Sequence, residues 1–239
     1  MFYRRQVQSQ YDPVVPFRLQ DLRKQWRKRA HRFILSRKPI AQVFTEFYQT
    51  NRWGDSETGS GPGSTLDRTV TLRAGLPALL AKYECRSLLD IPCGDLNWMK
   101  TLELDVEYIG ADIVSELINR NQQFAGPRRS FTTLDVIGDS LPAVDVILCR
   151  DCLGHFSTKN VRRAIRNIKA SRSRYLLATT FPSSAENRSI VTGEWQPINL
   201  SLRPFDLPAP LELLSDSYDA PKHYGKQLGL WRVADLPDF

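Results

Sequence analysis

Three times in succession a short apolar run of this chain ends on an aspartate. "RSLLDIPCGDLNWM" closes its run at Asp90 and then makes a tight Pro/Gly turn, "VEYIGADIV" closes at Asp112, and "RSFTTLDV" at Asp135. "AVDVILCRD", the basic amphipathic "TKNVRRAIRNIKA", "RYLLATTF" and a last run in "LGLWRVADL" continue the series. Strands alternating with helical patterns predict βαβ units, hence a mostly parallel sheet with helices on both faces. The 239 residues suffice for one such domain with a sizeable core, together with an N-terminal extension.

That extension carries the charge. Residues 1–38 hold eleven Lys/Arg against Asp12 and Asp21, or +9, which leaves −2 for residues 39–239 of the total of +7. Within it, Leu19, Leu22, Trp26 and Phe33 are spaced as an apolar stripe on a strongly basic helix. Such a helix has three readings: docked on the domain with a solvated basic side, lying on an anionic membrane surface, or reaching for nucleic acid. Next, "IAQVFTEFYQT" puts Val43, Phe44, Phe47 and Tyr48 on one helical face. A glycine- and serine-rich stretch, "NRWGDSETGSGPGST", follows, and residues 65–83 read as a helix that Pro77 kinks or restarts. The expected division is a basic helical extension with its Gly/Ser loop over 1–64 and a domain over 65–239. An irregular insertion at 182–228 interrupts that domain, and its "GEWQPINLSLRPFDLPAPLELL" is too polar and broken for core strands.

Residues 87–91 and 144–149, the longest mainly apolar runs, fall far short of the roughly 20 residues that span a bilayer, and the N-terminus lacks a signal-peptide core. A soluble, unexported, cytoplasmic protein is expected, with possible peripheral contact at the inner membrane face through residues 17–38. Cys149 and Cys152 make a single Cys-x-x-Cys spacing with no second pair, so reduced core thiols are expected and no metal site.

In an open α/β sheet, ligands bind beyond the carboxyl ends of the strands, where the strand order reverses. The turn "DIPCGDLN" offers one glycine, Gly94, and two carboxylates, so it disfavours phosphate and suits a ligand bearing a cationic amine and a ribose diol. Asp112 lies 22 residues after Asp90, one βαβ step, where a carboxylate can accept from both ribose hydroxyls. Helix capping is the plainer alternative for these acids.

"LLDIPCGDLNW", "YIGADIV", "TTLDV" and "DVILCRDCLGHFS" together resemble the successive motifs of class I S-adenosylmethionine-dependent methyltransferases, over roughly residues 66–181. The resemblance implies a Rossmann-like, seven-stranded, mostly parallel sheet whose last strand is antiparallel, and S-adenosylmethionine as cofactor. Asp90 and Gly94 would then shape the turn against the methionine moiety, Asp112 bind the ribose and Asp135 the adenine amine, with Cys93, Asp95 and Arg150 completing the cofactor set. Pro92 and Leu96 stand where the family usually has glycines. A "WG…S…SG.GS" loop before a "D.PCGD..WM" turn further resembles a bacterial branch of the family, some of whose members are associated with surface-glycan assembly.

Methyl transfer to a hydroxyl needs an in-line geometry and a base for the acceptor proton. Asp151 and His155, at i and i+4 beyond the fourth run, are the candidates: His155 as base, Asp151 orienting it or the cofactor. The competing reading has His155 capping the loop and Asp151 pairing with Arg150. Trp195, Gln196, Asn199, Arg203 and Tyr224 suit an acceptor such as a sugar, by stacking and planar hydrogen bonding, unless the insertion is an ordinary capping loop. The Gly/Ser stretch lacks the lysine of a phosphate loop and is expected to fold over the cleft, Trp53 anchoring it and Ser60 or Ser64 reaching cofactor or acceptor. The expected activity is methyl transfer to a hydroxyl of a small-molecule or glycan-linked acceptor. RNA methylation through the basic arm and a non-catalytic scaffold are the alternatives.

Overall fold

The structure, a computed structural model, describes residues 19–216 and 225–239. The chain divides after Ile34. The first part contributes most of α1 (Leu19–Arg37).

Everything from Leu35 onward is organised by one sheet. Its strands are β1 (Ser87–Asp90), β2 (Glu107–Asp112), β3 (Arg129–Thr133), β4 (Val146–Cys149), β5 (Tyr175–Thr180), β6 (Glu212–Ser215) and β7 (Gln227–Arg232), in the order β3-β2-β1-β4-β5-β7-β6. The strands β1 to β5 run parallel to one another, and β7 runs antiparallel to both β5 and β6. This is the expected seven-stranded, mostly parallel sheet with helices. Strand order reverses between β1 and β4, so the carboxyl ends of β1, β2 and β4 frame a crevice.

The continuous apolar runs follow from burial on two faces. Successive side chains of a strand point to opposite sides. Leu89, Ile147, Cys149 and Leu176 enter one core layer, with Val161, Ala164, Ile165 and Ile168 of α5 (Thr158–Ala170). Leu88, Val146, Leu148 and Leu177 enter the other, with Leu72, Leu76, Leu79 and Leu80 of α3 (Val70–Lys82). The spacing of the four α5 residues, i, i+3, i+4 and i+7, is one helical face. Ser157 caps that helix, its Oγ accepting from the Asn160 N–H at 3.4 Å. Pro77 lies inside α3 without ending it. α2 (Ile40–Gln49) buries Val43 and Phe47 with Leu35, and α4 (Ser115–Asn121) follows β2.

One element departs from expectation. The "LELL" end of the stretch considered too polar for strands forms β6, pairing Glu212 to Ser215 with β7. It is an edge strand, half-exposed along its length, so it needs neither a long nor a continuous apolar run.

Candidate functional site

The turn after β1 carries the first acids. Asp90 is buried and accepts from the Tyr108 hydroxyl at 2.7 Å. Burial pushes its carboxyl up to about 7, against the pull of Tyr108 and Arg150 and with a further push from Asp112. Beyond it the chain turns through Gly94, at φ 56°, while the Cys93 N–H donates to the Ala111 carbonyl at 2.8 Å. The Asn121 side-chain amide donates to the Gly94 carbonyl at 2.7 Å and approaches the Cys93 sulfur at 3.6 Å.

Asp112 closes β2 directly opposite this turn. Its two oxygens accept from the Gly94 N–H at 3.1 Å and the Val114 N–H at 2.9 Å. Burial raises its carboxyl to about 6, and none of the ion pairs among the described residues involves it. A carboxylate has about four acceptor positions, so two remain for a ligand with paired hydroxyl donors. Asp135 is half-exposed and spends one oxygen on the Ile137 N–H at 2.8 Å.

Asp95 serves a different partner. Its carboxylate accepts from Thr58 Oγ1 at 2.9 Å, the Gly59 N–H at 2.8 Å, Ser60 Oγ at 3.0 Å and the Asn97 N–H at 3.3 Å. Its own N–H donates to Ser60 Oγ at 3.0 Å. The Gly/Ser loop is thus strapped onto the β1 turn, and both Asp95 and Ser60 are engaged in the strap. Asn97 reinforces it, donating to Glu57 Oε1 at 2.6 Å and to the Ser64 carbonyl at 3.1 Å. At the other end, the Trp53 ring meets Phe47 and His155 edge-on, at 5.7 and 6.2 Å between centroids. Gly61 lies against it at φ 88°, where a Cβ would stand 2.9 Å from that of Trp53.

The end of β4 holds a buried ionic knot. Arg150 grips Asp216 with Nε at 2.9 Å and Nη2 at 3.0 Å, and also reaches the Gly63 carbonyl at 2.7 Å and Ser64 Oγ at 3.4 Å. Its guanidinium stacks over Trp98 at 5.4 Å. Burial works against its charge, yet the Asp216 and Asp151 carboxylates raise its pKa further. Lys226 joins Asp216 at 2.9 Å to Asp151 at 2.5 Å. Asp151 has φ 51°, and its N–H donates to Thr179 Oγ1 at 2.8 Å. Burial alone would raise the Asp151 carboxyl, but Lys226 and Arg150 outweigh it and bring it down to about 2.

His155 stands between the aromatic rings of Phe44 and Trp53. Its Nδ1 lies 3.2 Å from the Glu194 carbonyl oxygen. A carbonyl only accepts, so Nδ1 carries the proton of the neutral ring and Nε2 keeps its lone pair. Burial lowers the pKa of the imidazole, opposed by the Asp151 carboxylate. Glu194, rather than Asp151, supplies the group that His155 Nδ1 faces.

The insertion residues divide. Trp195 is exposed, its ring edge-on to Phe181 at 6.0 Å. Gln196 and Asn199 are buried and hold the insertion's own backbone: Gln196 Oε1 accepts from the Arg188 N–H at 2.6 Å, while the Asn199 amide donates to the carbonyls of Pro182 at 3.2 Å and Ser184 at 3.1 Å. Arg203 is exposed, and its carbonyl accepts from Asn187 at 2.9 Å. Tyr224 lies outside the described residues. Sequence reasoning missed Asp216 and Lys226, lone charges 66 and 75 residues from their partners in β4's end. It also missed Tyr108 and Asn97, whose polar tips are visible only as members of a strand and a turn. All four cysteines are free and buried, and no group of His, Cys, Asp and Glu among the described residues is arranged to hold a metal ion.

No family model and no curated protein matches the sequence. Solved structures do match the fold. Magnesium protoporphyrin IX methyltransferase from Synechocystis PCC 6803, with bound S-adenosylmethionine, aligns at TM-score 0.57 and 16% identity, over 82% of this chain and 97% of that one. Human N-acetylserotonin methyltransferase, also with S-adenosylmethionine, aligns at TM-score 0.58 and 13% identity, over 82% of this chain and 60% of that one. The alignment with the methyltransferase domain of bacterial CtHen1-C spans 47% of this chain and 66% of that one, at TM-score 0.42 and 13% identity. By the first two of these likenesses and its strand order, the chain has the Rossmann-like fold of class I S-adenosylmethionine-dependent methyltransferases.

Proposed function

We propose that the chain is an S-adenosylmethionine-dependent methyltransferase whose acceptor is a hydroxyl of a small or glycan-linked molecule. The observation that carries this is Asp112: a buried carboxylate at the end of β2, fixed by two backbone N–H groups, without an ion pair among the described residues, at the crevice where such folds take their ligands. Desolvating a carboxylate for structure alone is costly, and two backbone bonds leave half its accepting capacity unused. A ribose diol fills that capacity. Asp90, Gly94 and the Cys93 backbone would face the amino-acid end of the cofactor, and Asp135, with its second oxygen, the adenine amine. When bound, S-adenosylmethionine supplies a methyl group activated by a positive sulfonium.

The chain's own part in the reaction would be to remove water and a proton. Phe44, Trp53 and Phe156 form an apolar wall beside His155. The Glu194 carbonyl fixes the tautomer, so Nε2 is the atom that takes the acceptor's proton. Asp151, held ionised by Lys226 and Arg150, stabilises the imidazolium that results. Exposed Trp195 and Arg203 are the insertion's candidates for touching the acceptor; Gln196 and Asn199 would shape the loop that carries them.

Calorimetry with S-adenosylmethionine tests the cofactor. Binding that Asp112→Ala weakens at least about tenfold, the loss of one or more hydrogen bonds to a charged group, is expected. No binding at about millimolar cofactor, or no effect of the substitution, removes the reading in favour of a scaffold. Labelled methyl transfer into cell fractions tests the acceptor. Label in RNA alone overturns the hydroxyl assignment, and full turnover by His155→Ala removes the base.

A further inference from the structure

The proposed reaction makes no use of α1. Residues 19–38 carry eight Lys or Arg against Asp21 alone. At about 100° per residue, Leu22, Trp26 and Phe33 fall within about 40° of one another on this helix. Trp26 is 71% exposed, and Leu22, Phe33 and Ile34 are exposed as well. Arg29 and Arg37, both exposed, flank this stripe at about 40° to either side, while Lys24 and Lys28 lie on the opposite face.

A merely solvated basic face has no use for an exposed tryptophan beside a leucine, a phenylalanine and an isoleucine. Nucleic acid would reward the cations, but Leu22 and Ile34 have nothing to offer a phosphate chain, and residues 39–239 carry a net −2 that does not extend a phosphate-tracking surface. A second copy of the helix would bring seven cations against seven. An anionic bilayer surface suits both halves of the pattern. Lys and Arg are attracted to the headgroup charge, while indole and phenyl rings sit at the headgroup boundary with their apolar bodies below it. We propose that α1 is an interfacial anchor that docks the protein on an anionic lipid surface, with Trp26 as the inserted side chain. No helix among the described residues is long and apolar enough to cross the membrane, so the contact is peripheral as far as they reach.

Flotation of the full chain with vesicles tests this. Vesicles of phosphatidylcholine with phosphatidylserine should carry the protein, those of phosphatidylcholine alone should carry far less, and added salt should release it. Trp26→Glu should weaken partitioning at least about tenfold, and Arg29→Glu, which removes an exposed cation beside the stripe, by roughly fivefold or more. Circular dichroism and S-adenosylmethionine calorimetry on the same variants should match the parent, since none of these residues has a part in the proposed cofactor binding or reaction. Equal retention on both vesicle types overturns the proposal. So does unchanged binding by Trp26→Glu, and so does a chain that binds single-stranded RNA but neither kind of vesicle.

Discussion

Removing the carboxylate of Asp216 should be the most damaging single change at the crevice, although Asp216 touches no candidate ligand atom. Its side chain is 0% exposed, and it faces Arg150, 4% exposed, and Lys226, 12% exposed. Two cations and two carboxylates, Asp216 and Asp151, balance there. In Asp216→Ala, Asp151 alone must serve both cations, and its side chain is 32% exposed. The lost contacts are the bidentate fork from Arg150 at 2.9 and 3.0 Å and one Lys226 bond at 2.9 Å. Breaking a buried pair from one side costs about 3–5 kcal/mol, because a charge is left buried without its partner. For a chain of this size that lowers Tm by about 6–20 °C, at about 2–4 °C per kcal/mol.

The charge argument also fixes an order among variants. Lys226→Met leaves Arg150 with both carboxylates and removes the cation nearest to solvent, so it should cost less than Asp216→Ala. Asp216→Ala/Lys226→Met removes one charge of each sign and should be more stable than the sum of the single changes predicts, by about 1 kcal/mol or more. Urea and thermal unfolding of the four proteins at neutral pH measure all three quantities. If Asp216→Ala costs under about 1 kcal/mol, the range of an exposed ion pair, or if the double change is additive, the knot is not a coupled buried network and the reasoning fails.

Three further outcomes follow from the turn after β1 and the end of β2 opposite it. A Cβ added at Gly94 would stand 2.2 Å from Ser60 Oγ, at a φ of 56°, so Gly94→Ala should cost at least about 1 kcal/mol and speed proteolysis of residues 54–64; wild-type stability and protection would refute it. The raised pKa values have a defined sign: a carboxyl raised from 3.8 to about 6 at Asp112, and to about 7 at Asp90, gives stability that is present below about pH 4 and lost as pH rises through those values. Between about pH 4 and 7 the ligand-free protein should therefore lose more stability than Asp112→Asn does, the lowered His155 pKa working in the opposite direction in both proteins. S-adenosylmethionine affinity should move the other way, falling as pH drops through about 6 and Asp112 takes up a proton, and a flat profile in titration calorimetry would contradict the role given to Asp112.

What was legible in the sequence is what two-sided burial writes into it. Strands β1, β4 and β5 lie inside the sheet, so both their faces are apolar and the runs stand out; their ends are marked by Asp90 and Arg150 because polar groups return where the sheet stops. β6 is an edge with one partner, and its four residues gave no comparable signal. That Asp90 and Asp112 end their strands was readable by position alone. Asp95 sits in the same turn and is chemically identical to Asp90, yet its carboxylate belongs to the Gly/Ser loop, a pairing that spans 35 to 37 residues and leaves no periodic trace. Gln196 and Asn199 look, in sequence, like surface amides ready for a polyol. The part of the insertion that precedes β6 forms no named strand and must satisfy its own carbonyls and N–H groups, and these two amides are buried in doing so.

The same strap accounts for Leu96 in a place where the resembling family usually has glycine. Leu96 has φ 58°, the left-handed region that glycine enters without strain and a leucine enters at about 1–2 kcal/mol. Its side chain, 2% exposed, packs with Cys93, Trp98 and Met99 in the layer under the turn, and burying a leucine contributes about 1.5–3 kcal/mol. Burial thus offsets the strain locally. The neighbours on both sides are held as well, Asp95 by the loop and Asn97 by Glu57 and the Ser64 carbonyl. The conformation that glycines permit by freedom is imposed here by packing below and hydrogen bonds above. A turn shaped in that way is coupled to the loop: Thr58, Gly59 and Ser60 cannot leave Asp95 without withdrawing the contacts that hold the strained residue's neighbours in place.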